Sequence, residues 1–304
     1  MRRWLAATAL GAAAALVLAG CQAPGGADGK LVDDWSAFGE PKVPVPTAGT
    51  CYTGSATEVL DLTGADLKDA GSCTVEHVAE VAHVGQVTGA DANRSAVPAE
   101  DSAAAKAAYT DCATAVREFL GDEWMAGRLY LMVHFPSERQ WDGGSRHYRC
   151  SLVEIASEGG KVVKRNSSLR DGLRGDRPLG VVCVNDFGKD AKSVDGIDFV
   201  GCSAKHTAEF SGVYTVTPPG RAYPGDEALD KLALEGCERL AAKYLGLSST
   251  DIPNGLAWLY WGEFKEGWAR GNQSFRCYVG VYDRNKPIRA GATLKGLGSK
   301  PIPR

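Results

Sequence analysis

The feature that most constrains the fold is a set of cysteines whose spacing occurs twice along the chain. Apart from Cys21, the cysteines lie at positions 51, 73, 112 and 150, and again at 183, 202, 237 and 277. The residues around them repeat as well, which indicates an internal duplication. We therefore predict two tandem homologous copies of one domain, over residues 49–176 and 179–304, each long enough for its own hydrophobic core.

The first motif found in both copies has the form C-x3-H-x2-E. Its polar residues are His77 and Glu80 in the first copy, and His206 and Glu209 in the second. A histidine–carboxylate pair can act as a general base with its orienting partner, or can supply two metal ligands. However, the following residues look like a strand, in which residues three apart point to opposite faces. We therefore favour a structural role over ligand binding or catalysis, with the histidine bonded to its turn and the glutamate starting the strand or pairing with an arginine such as Arg149 or Arg276.

The second repeated motif places a tryptophan and an arginine before the last cysteine of each copy. These residues are Trp141 and Arg149 before Cys150, and Trp268 and Arg276 before Cys277. Each tryptophan precedes a glycine turn and belongs either to the core, which we favour, or to an exposed aromatic edge. An exposed edge, with Trp258, Tyr260 and Trp261 nearby, would suit glycan or protein binding.

Hydrophobic periodicity predicts the same elements in each copy. Residues 102–120 and 227–245 carry apolar side chains at helical spacing, and Gly121 and Gly246 follow them as helix ends. Residues 80–87, 128–135 and 147–155 are predicted strands, as are 210–216, 256–264 and 274–282. The order is roughly β-β-α-β-β, so we expect an α+β fold in which each copy has an antiparallel sheet and one main helix.

An exported chain meets oxidising conditions, so its even set of eight cysteines favours disulfides. Locality pairs the first two cysteines of each copy, and a cysteine on the buried helix face would bridge to the strand below it. The predicted pairs are Cys51–Cys73, Cys112–Cys150, Cys183–Cys202 and Cys237–Cys277. Zinc is the alternative, because each motif histidine follows a cysteine by four positions, but no C-x2-C partner is present. We expect no metal and no cofactor.

The first residues predict export. Arg2 and Arg3 precede an apolar run over 5–19 that is too short to span a membrane comfortably, which is typical of a signal peptide over 1–20. The run ends Leu-Ala-Gly before Cys21 and resembles the bacterial lipobox, which implies cleavage before Cys21 and its acylation, with palmitate among the acyl chains. A plain signal peptide is the alternative. Residues 21–48 are then a lipidated cysteine and a flexible tether, at the extracytoplasmic face of the cell membrane.

Composition narrows the class of function. Hydrophobic residues make up 44% and charged residues 23%, which argues against a wholly disordered chain and a polytopic membrane protein. The formal charge is −3, and removal of residues 1–20 with their two arginines gives 32 − 37, or −5. This balance predicts no nucleic-acid partner. The common hydrolase, P-loop and dinucleotide-binding motifs are absent from the sequence, so no catalytic residue is predicted.

The C-x3-H-x2-E element, preceded by Gly49-Thr50-Cys51 or by Val182-Cys183, resembles the septum formation domain of actinobacterial exported and membrane proteins. The resemblance covers both copies and is strongest at 73–80 and 202–209. The sequence departs from the family pattern at two positions. The first copy has Glu76 before its histidine, and the second copy has Val182 in place of a glycine before its first cysteine. The resemblance implies an extracytoplasmic module linked to cell division, without an established enzymatic activity.

Three hypotheses follow from these observations. The first is a lipid-anchored binding or scaffold protein, which is not an enzyme and whose partners are the membrane and envelope or division proteins or cell-wall polymer. The second is a metal-dependent envelope hydrolase that uses the two histidine–glutamate pairs. The third is a solute-binding lipoprotein, which requires a cleft between the copies.

Overall fold

A computed structural model of the protein describes residues 44–62, 67–186, 196–218, 220–284 and 286–303. The predicted signal peptide, Cys21 and the tether as far as residue 43 lie outside these ranges. Residues 45–304 form one compact unit. Within the described ranges, no helix is long and apolar enough to cross a membrane.

The first half of the chain forms a five-stranded antiparallel sheet in the order β2–β1–β3–β5–β4. Its strands are β1 (Cys51–Thr53), β2 (Lys68–Asp69), β3 (Ala79–Gln86), β4 (Leu129–His134) and β5 (His147–Glu154). The two longest strands, β3 and β5, lie next to each other, and β4 is at one edge. This arrangement confirms the predicted mixture of helix and antiparallel sheet.

The second half forms a sheet with the same order, β7–β6–β8–β10–β9, to which one further short strand is added. Its strands are β6 (Cys183–Asp186), β7 (Ile197–Val200), β8 (Ala208–Thr215), β9 (Leu256–Trp261), β10 (Ser274–Asp283) and β11 (Lys286–Pro287). Strand β11 pairs with the end of β10.

A β-bulge also occurs at the same place in both sheets. The β3–β5 register shifts between Val81 and His83, so Ala82 is the extra residue. In the β8–β10 register, Gly212 faces Cys277 and Phe210 faces Tyr278, so Ser211 is the extra residue. Each extra residue lies two positions after the motif glutamate. A local distortion of this kind supports the internal duplication more specifically than strand order does.

The predicted β-β-α-β-β order differs from the structure, because in the described ranges three strands rather than two precede the long helix of each half. Strands β1 and β2 have three and two residues, which is too short for an alternating hydrophobic pattern to reveal them. The domain boundaries at 49–176 and 179–304 remain a prediction.

Two long helices pack on the sheets, and the predicted spans of both are confirmed to within a residue. The helices are α1 (Gly89–Ala92), α2 (Ala103–Leu120), α3 (Glu138–Asp142), α4 (Asp226–Leu245) and α5 (Lys265–Arg270). The side chain of Ser102 accepts a hydrogen bond from the Ala105 N–H and so caps α2. Helices α2 and α4 end at Gly121 and Gly246, whose φ values of 95° and 77° favour glycine.

Four disulfides join helices and turns to the sheets. They are Cys51–Cys73, Cys112–Cys150, Cys183–Cys202 and Cys237–Cys277, the same four pairs that the sequence predicted. Two of them connect the buried faces of α2 and α4 to β5 and β10. The other two connect β1 and β6 to the turns that precede β3 and β8.

Arg276 on β10 joins the second sheet to the first. Its Nε donates to the carbonyl of Met125 (2.7 Å), and its Nη2 donates to those of Gly127 (3.0 Å) and Leu129 (2.7 Å). Its Nη1 donates to Glu158 Oε2 (2.6 Å), and both side chains are almost fully buried. A guanidinium supplies enough donors to satisfy this set of acceptors, which an ammonium group would not match in geometry.

The equivalent residue in the first half, Arg149, makes no such junction. Its guanidinium lies over the ring of Tyr52 at 4.9 Å from the centroid. Its Nε is buried and has no hydrogen-bond partner in the described part of the chain. The two halves therefore share a strand order but use this arginine differently.

We predict that Arg276→Met lowers the free energy of unfolding by about 3–5 kcal/mol, because it leaves the buried Glu158 carboxylate without its cation. The matched variant Arg149→Met loses a partly exposed cation–π contact and should cost about 1 kcal/mol. Urea denaturation followed by circular dichroism measures both values. Equal losses in the two variants would contradict the assignment of Arg276 as the junction.

Candidate functional site

The motif histidines lie in the turns before β3 and β8. The disulfides Cys51–Cys73 and Cys183–Cys202, called the outer disulfides below, hold these turns against the sheets. His77 and His206 are each 1% exposed. His77 Nδ1 donates to the carbonyl of Val75 (2.8 Å), and His206 Nδ1 donates to that of Ala204 (3.0 Å). Each ring therefore closes the turn two residues before it, as the structural interpretation of the motif predicts.

The motif glutamates bind the tail of their own half. Glu80 accepts hydrogen bonds from Ser168 Oγ (2.7 Å) and from the Leu169 N–H (2.6 Å). In the second half, Glu209 accepts them from Thr293 Oγ1 (3.0 Å) and the Leu294 N–H (2.8 Å). Of the two alternatives for the glutamates, the structure agrees with the first, because each lies at the start of its strand. It does not show the pairing with Arg149 or Arg276, since a segment about ninety residues further along supplies donors to each glutamate.

His206 and Glu209 also bond to each other, with His206 Nε2 donating to Glu209 Oε1 at 2.9 Å. The expectation that residues three apart would face opposite sides is wrong here, because His206 lies in the turn before β8 rather than inside the strand. Both ring nitrogens of His206 therefore face oxygen atoms, and the two contacts fix the orientation of the ring.

The first half lacks this second contact. His77 Nε2 is buried without a partner among the described residues. Tyr244 adds a further donor to Glu209, through its hydroxyl at 2.6 Å, where the first half has Phe119. Burial, followed by the hydrogen bond to Glu209, raises the pKa of Tyr244 above its usual value, so the hydroxyl remains a donor.

The structure also brings cysteines close to these pairs. Potential ligand atoms of one set, Cys51, Cys73, His77 and Glu80, lie within 4.8 Å of one another, as do those of a second set, Cys183, His206 and Glu209. These cysteines are all in disulfides and carry no thiolate, which is the form that binds zinc. With the bridges closed, one histidine and one glutamate remain in each set.

The motif tryptophans lie in the core. Trp141 and Trp268 are 1% and 5% exposed. Their indole N–H groups donate to the carbonyls of Arg94 and Arg221, each at 2.9 Å. Each ring therefore holds the segment that precedes the long helix of its half. Both tryptophans belong to the core, as favoured from the sequence, and neither forms part of an exposed aromatic edge.

A cavity of about 280 Å³ lies where the edge strand β4 meets the connection between β9 and β10. Its walls come from both halves of the chain. The apolar and aromatic lining includes Val59, Leu62, Tyr109, Trp124, Tyr130 and Met132, and the polar lining consists of Glu100, His134, Glu263, Arg270 and Asn272. The third hypothesis requires a cleft between the copies, and this cavity is lined by residues of both halves.

One carboxylate organises the polar end of this cavity. Glu263 Oε1 accepts hydrogen bonds from the Tyr130 hydroxyl and from Arg270 Nη2, each at 2.5 Å. Burial and the nearby charge of Glu263 raise the pKa of Tyr130 above its usual value. Tyr130 therefore stays protonated and donates across the junction of the two halves.

His134 at the end of β4 is the second polar group in the wall. Its Nε2 is buried and has no hydrogen-bond partner in the part of the chain that the structure describes. Burial, with a smaller effect of the Arg149 charge, lowers the pKa of His134 from its usual 6.5 to about 4. The ring is therefore neutral at neutral pH.

Sequence reasoning missed Glu263 and Arg270 as a pair. Aligning Trp141 with Trp268 places Pro136 and Gly143 at the corresponding positions of the first half. A charged pair present in one half and absent from the other was the available signal. It could not show that the pair faces Tyr130, because that contact spans the two halves.

Comparison with known proteins identifies one family. A family model described as septum formation matches residues 48–277. The match begins before β1 and ends in β10, so it runs across both sheets. No curated protein and no solved structure matches the chain.

We predict that Glu209→Gln destabilises the protein more than Glu80→Gln. Glu209 is in hydrogen-bond contact with four groups of the described chain, so its replacement should cost about 3–5 kcal/mol. Glu80 has two described donors, and its replacement should cost about 1–3 kcal/mol. Both values come from urea denaturation, with Tyr244→Phe as a control that removes one donor alone. A larger loss for Glu80→Gln would refute this ranking.

We predict that His134→Phe reduces the acid sensitivity of the protein. Because the folded pKa lies below the unfolded one, the unfolded chain binds the proton first as pH falls. The contribution of neutral His134 to the free energy of unfolding is therefore fully present above about pH 6.5. It decreases as the pH falls towards 4, by up to about 1.4 kcal/mol per pH unit. Between pH 7 and 4.5, the variant should lose about 1–3 kcal/mol less than the wild type in urea denaturation. Parallel pH profiles would show that His134 does not contribute.

Proposed function

Because the chain belongs to the septum formation family, we propose that it is a lipid-anchored binding or scaffold protein of the cell envelope that acts in septum formation. The family match covers most of the chain, and it is the observation that carries the link to division. The partners we propose are envelope or division proteins, or cell-wall polymer. No catalytic role is part of the proposal.

The proposed location is the extracytoplasmic face of the cell membrane. The apolar leader that ends at Cys21 supports export and acylation, and acyl chains on one cysteine would hold the protein at the membrane. The four disulfides support the same location, because such bridges persist in oxidising compartments. A tether over residues 21–48 would give the folded body reach from the lipid surface.

The proposed architecture is a pair of tandem domains, 49–176 and 179–304. The shared strand order, the repeated bulge and the repeated glutamate-to-tail bonds support it. Two related surfaces joined through Arg276 and Glu158 would present partners with a fixed spacing, which is what a scaffold requires.

The burial of the repeated motif favours this role over the envelope hydrolase. His77, Glu80, His206 and Glu209 are at most 2% exposed, so a substrate has no access to them in this structure. The hydrogen bonds of both glutamates go to backbone and side chains of their own half. Solute binding remains a second candidate, which the cavity beside β4 favours.

In-cell crosslinking of the tagged protein, followed by mass spectrometry, tests the proposal. Wild type should fractionate with membranes and enrich septal or wall-synthesis proteins. Mass spectrometry of the wild type should find an acylated N-terminal Cys21, and Cys21→Ser should carry no acyl chain, while Ser36→Ala in the tether should behave as wild type. A wild type without an acylated Cys21 would refute the anchor, and partners unrelated to the envelope would refute the division role.

A further inference from the structure

The cavity beside β4 has the dimensions and lining of a small-molecule site. Its volume, about 280 Å³, lies just below the range of about 300–1,000 Å³ that is typical of ligand pockets. Such pockets combine apolar and aromatic walls with a few polar groups that orient the ligand. Here Val59, Leu62 and Met132 supply apolar surface, and Tyr109, Trp124 and Tyr130 supply aromatic rings.

The polar groups give the cavity an excess of negative charge. Two carboxylates, Glu100 and Glu263, line it together with one guanidinium, Arg270. Arg270 is already bonded to Glu263, at 2.5 Å. His134 adds no positive charge at neutral pH, because its pKa is about 4. A cationic ligand therefore fits this environment better than an anionic one.

Glu263 keeps one oxygen available for such a ligand. Both of its hydrogen bonds, from Tyr130 and Arg270, go to Oε1. Within the described ranges, Oε2 receives no hydrogen bond, and it is accessible to solvent rather than buried. An ammonium group could donate to Oε2 without displacing either existing bond.

His134 is a second unsatisfied group in the same wall. A buried nitrogen without a partner costs free energy, and a ligand or water that bonds to it recovers that cost. A neutral imidazole can both donate and accept, so it suits a small polar substituent on the ligand. Two independent features of one cavity, a free carboxylate oxygen and an unpartnered ring nitrogen, thus point to an occupant.

We propose that this cavity binds a small organic amine with an apolar or aromatic body, whose ammonium group contacts Glu263 and whose body packs against the aromatic and apolar walls. The proposed scaffold role does not need this site, so the amine site and the scaffold role can each be correct without the other.

Methyl NMR of the full chain provides a direct test. The chain has three methionines, and Met132 lines the cavity, so methionine-methyl labelling gives a reporter at the site. The probes are 2-phenylethylamine, 2-phenylethanol and phenylacetate, which share an aromatic body and differ in charge. The Met132 resonance should shift saturably with the amine, and the alcohol and the carboxylate should bind at least about tenfold more weakly, the factor that about 1.4 kcal/mol represents.

Variants separate the charge effect from a general loss of structure. Glu263→Gln should lower the affinity for 2-phenylethylamine about tenfold while leaving that for 2-phenylethanol unchanged. Glu100→Gln is an exposed change at the rim and should weaken amine binding by a factor of about 2–5. Glu235→Gln, on an exposed turn of α4 outside the cavity, is the matched control and should bind the amine as wild type does.

Three results would overturn the proposal. Equal affinities for the amine and the alcohol would show that charge does not select the ligand. Tighter binding of phenylacetate would reverse the inferred preference. A Met132 resonance that none of the three probes shifts would show that the cavity holds no ligand of this class. Because each result is read at the cavity itself, none of them depends on the outcome of the crosslinking experiment.

Discussion

The junction between the two sheets depends on a buried charge, the guanidinium of Arg276 bonded to Glu158 and to three carbonyls that precede and begin β4. The same guanidinium lies over the ring of Trp124, 5.5 Å from its centroid. Trp124 and β4 are also walls of the cavity. The interaction that joins the halves therefore also positions the aromatic side of the candidate site, so the cavity should not form in either half alone.

The two sheets share a strand order, whereas the candidate site lies where the two halves differ. The equivalent arginines, Arg149 and Arg276, occupy matching places in β5 and β10, yet one stacks on Tyr52 and the other crosses to the opposite half. Glu263 and Arg270 likewise stand where the first half has Pro136 and Gly143. The junction therefore uses an arginine that both halves possess, in a contact that only the second half makes, and the polar end of the cavity uses a charged pair that the first half lacks.

The elements that could be predicted from the sequence are those with a local signal. The helices follow from apolar spacing and terminal glycines, and locality and helix periodicity named the same disulfide pairs that the structure contains. Strands β1 and β2 are too short to carry such a signal. The partner of Glu80 could not be predicted for another reason, because Ser168 lies 88 residues away in the sequence. The similarity of the two tails held that information, but a sequence pattern does not say which buried group a tail will contact. The cavity depends on contacts between the halves and had no local signal at all.

Each outer disulfide and the motif that follows it act as one structural unit. The bridge from Cys51 fixes Cys73 at the start of a turn, and His77 closes that turn through the carbonyl of Val75. The turn places Glu80 at the start of β3, where its carboxylate binds the Leu169 N–H of the tail. Leu169 and Leu173 of this tail are buried in the core of the first half, so the bridge, the turn and the carboxylate form a continuous set of contacts that leads to the core. A chain that forms these bridges after export would complete this packing outside the cytoplasm, which couples the final fold to the proposed location.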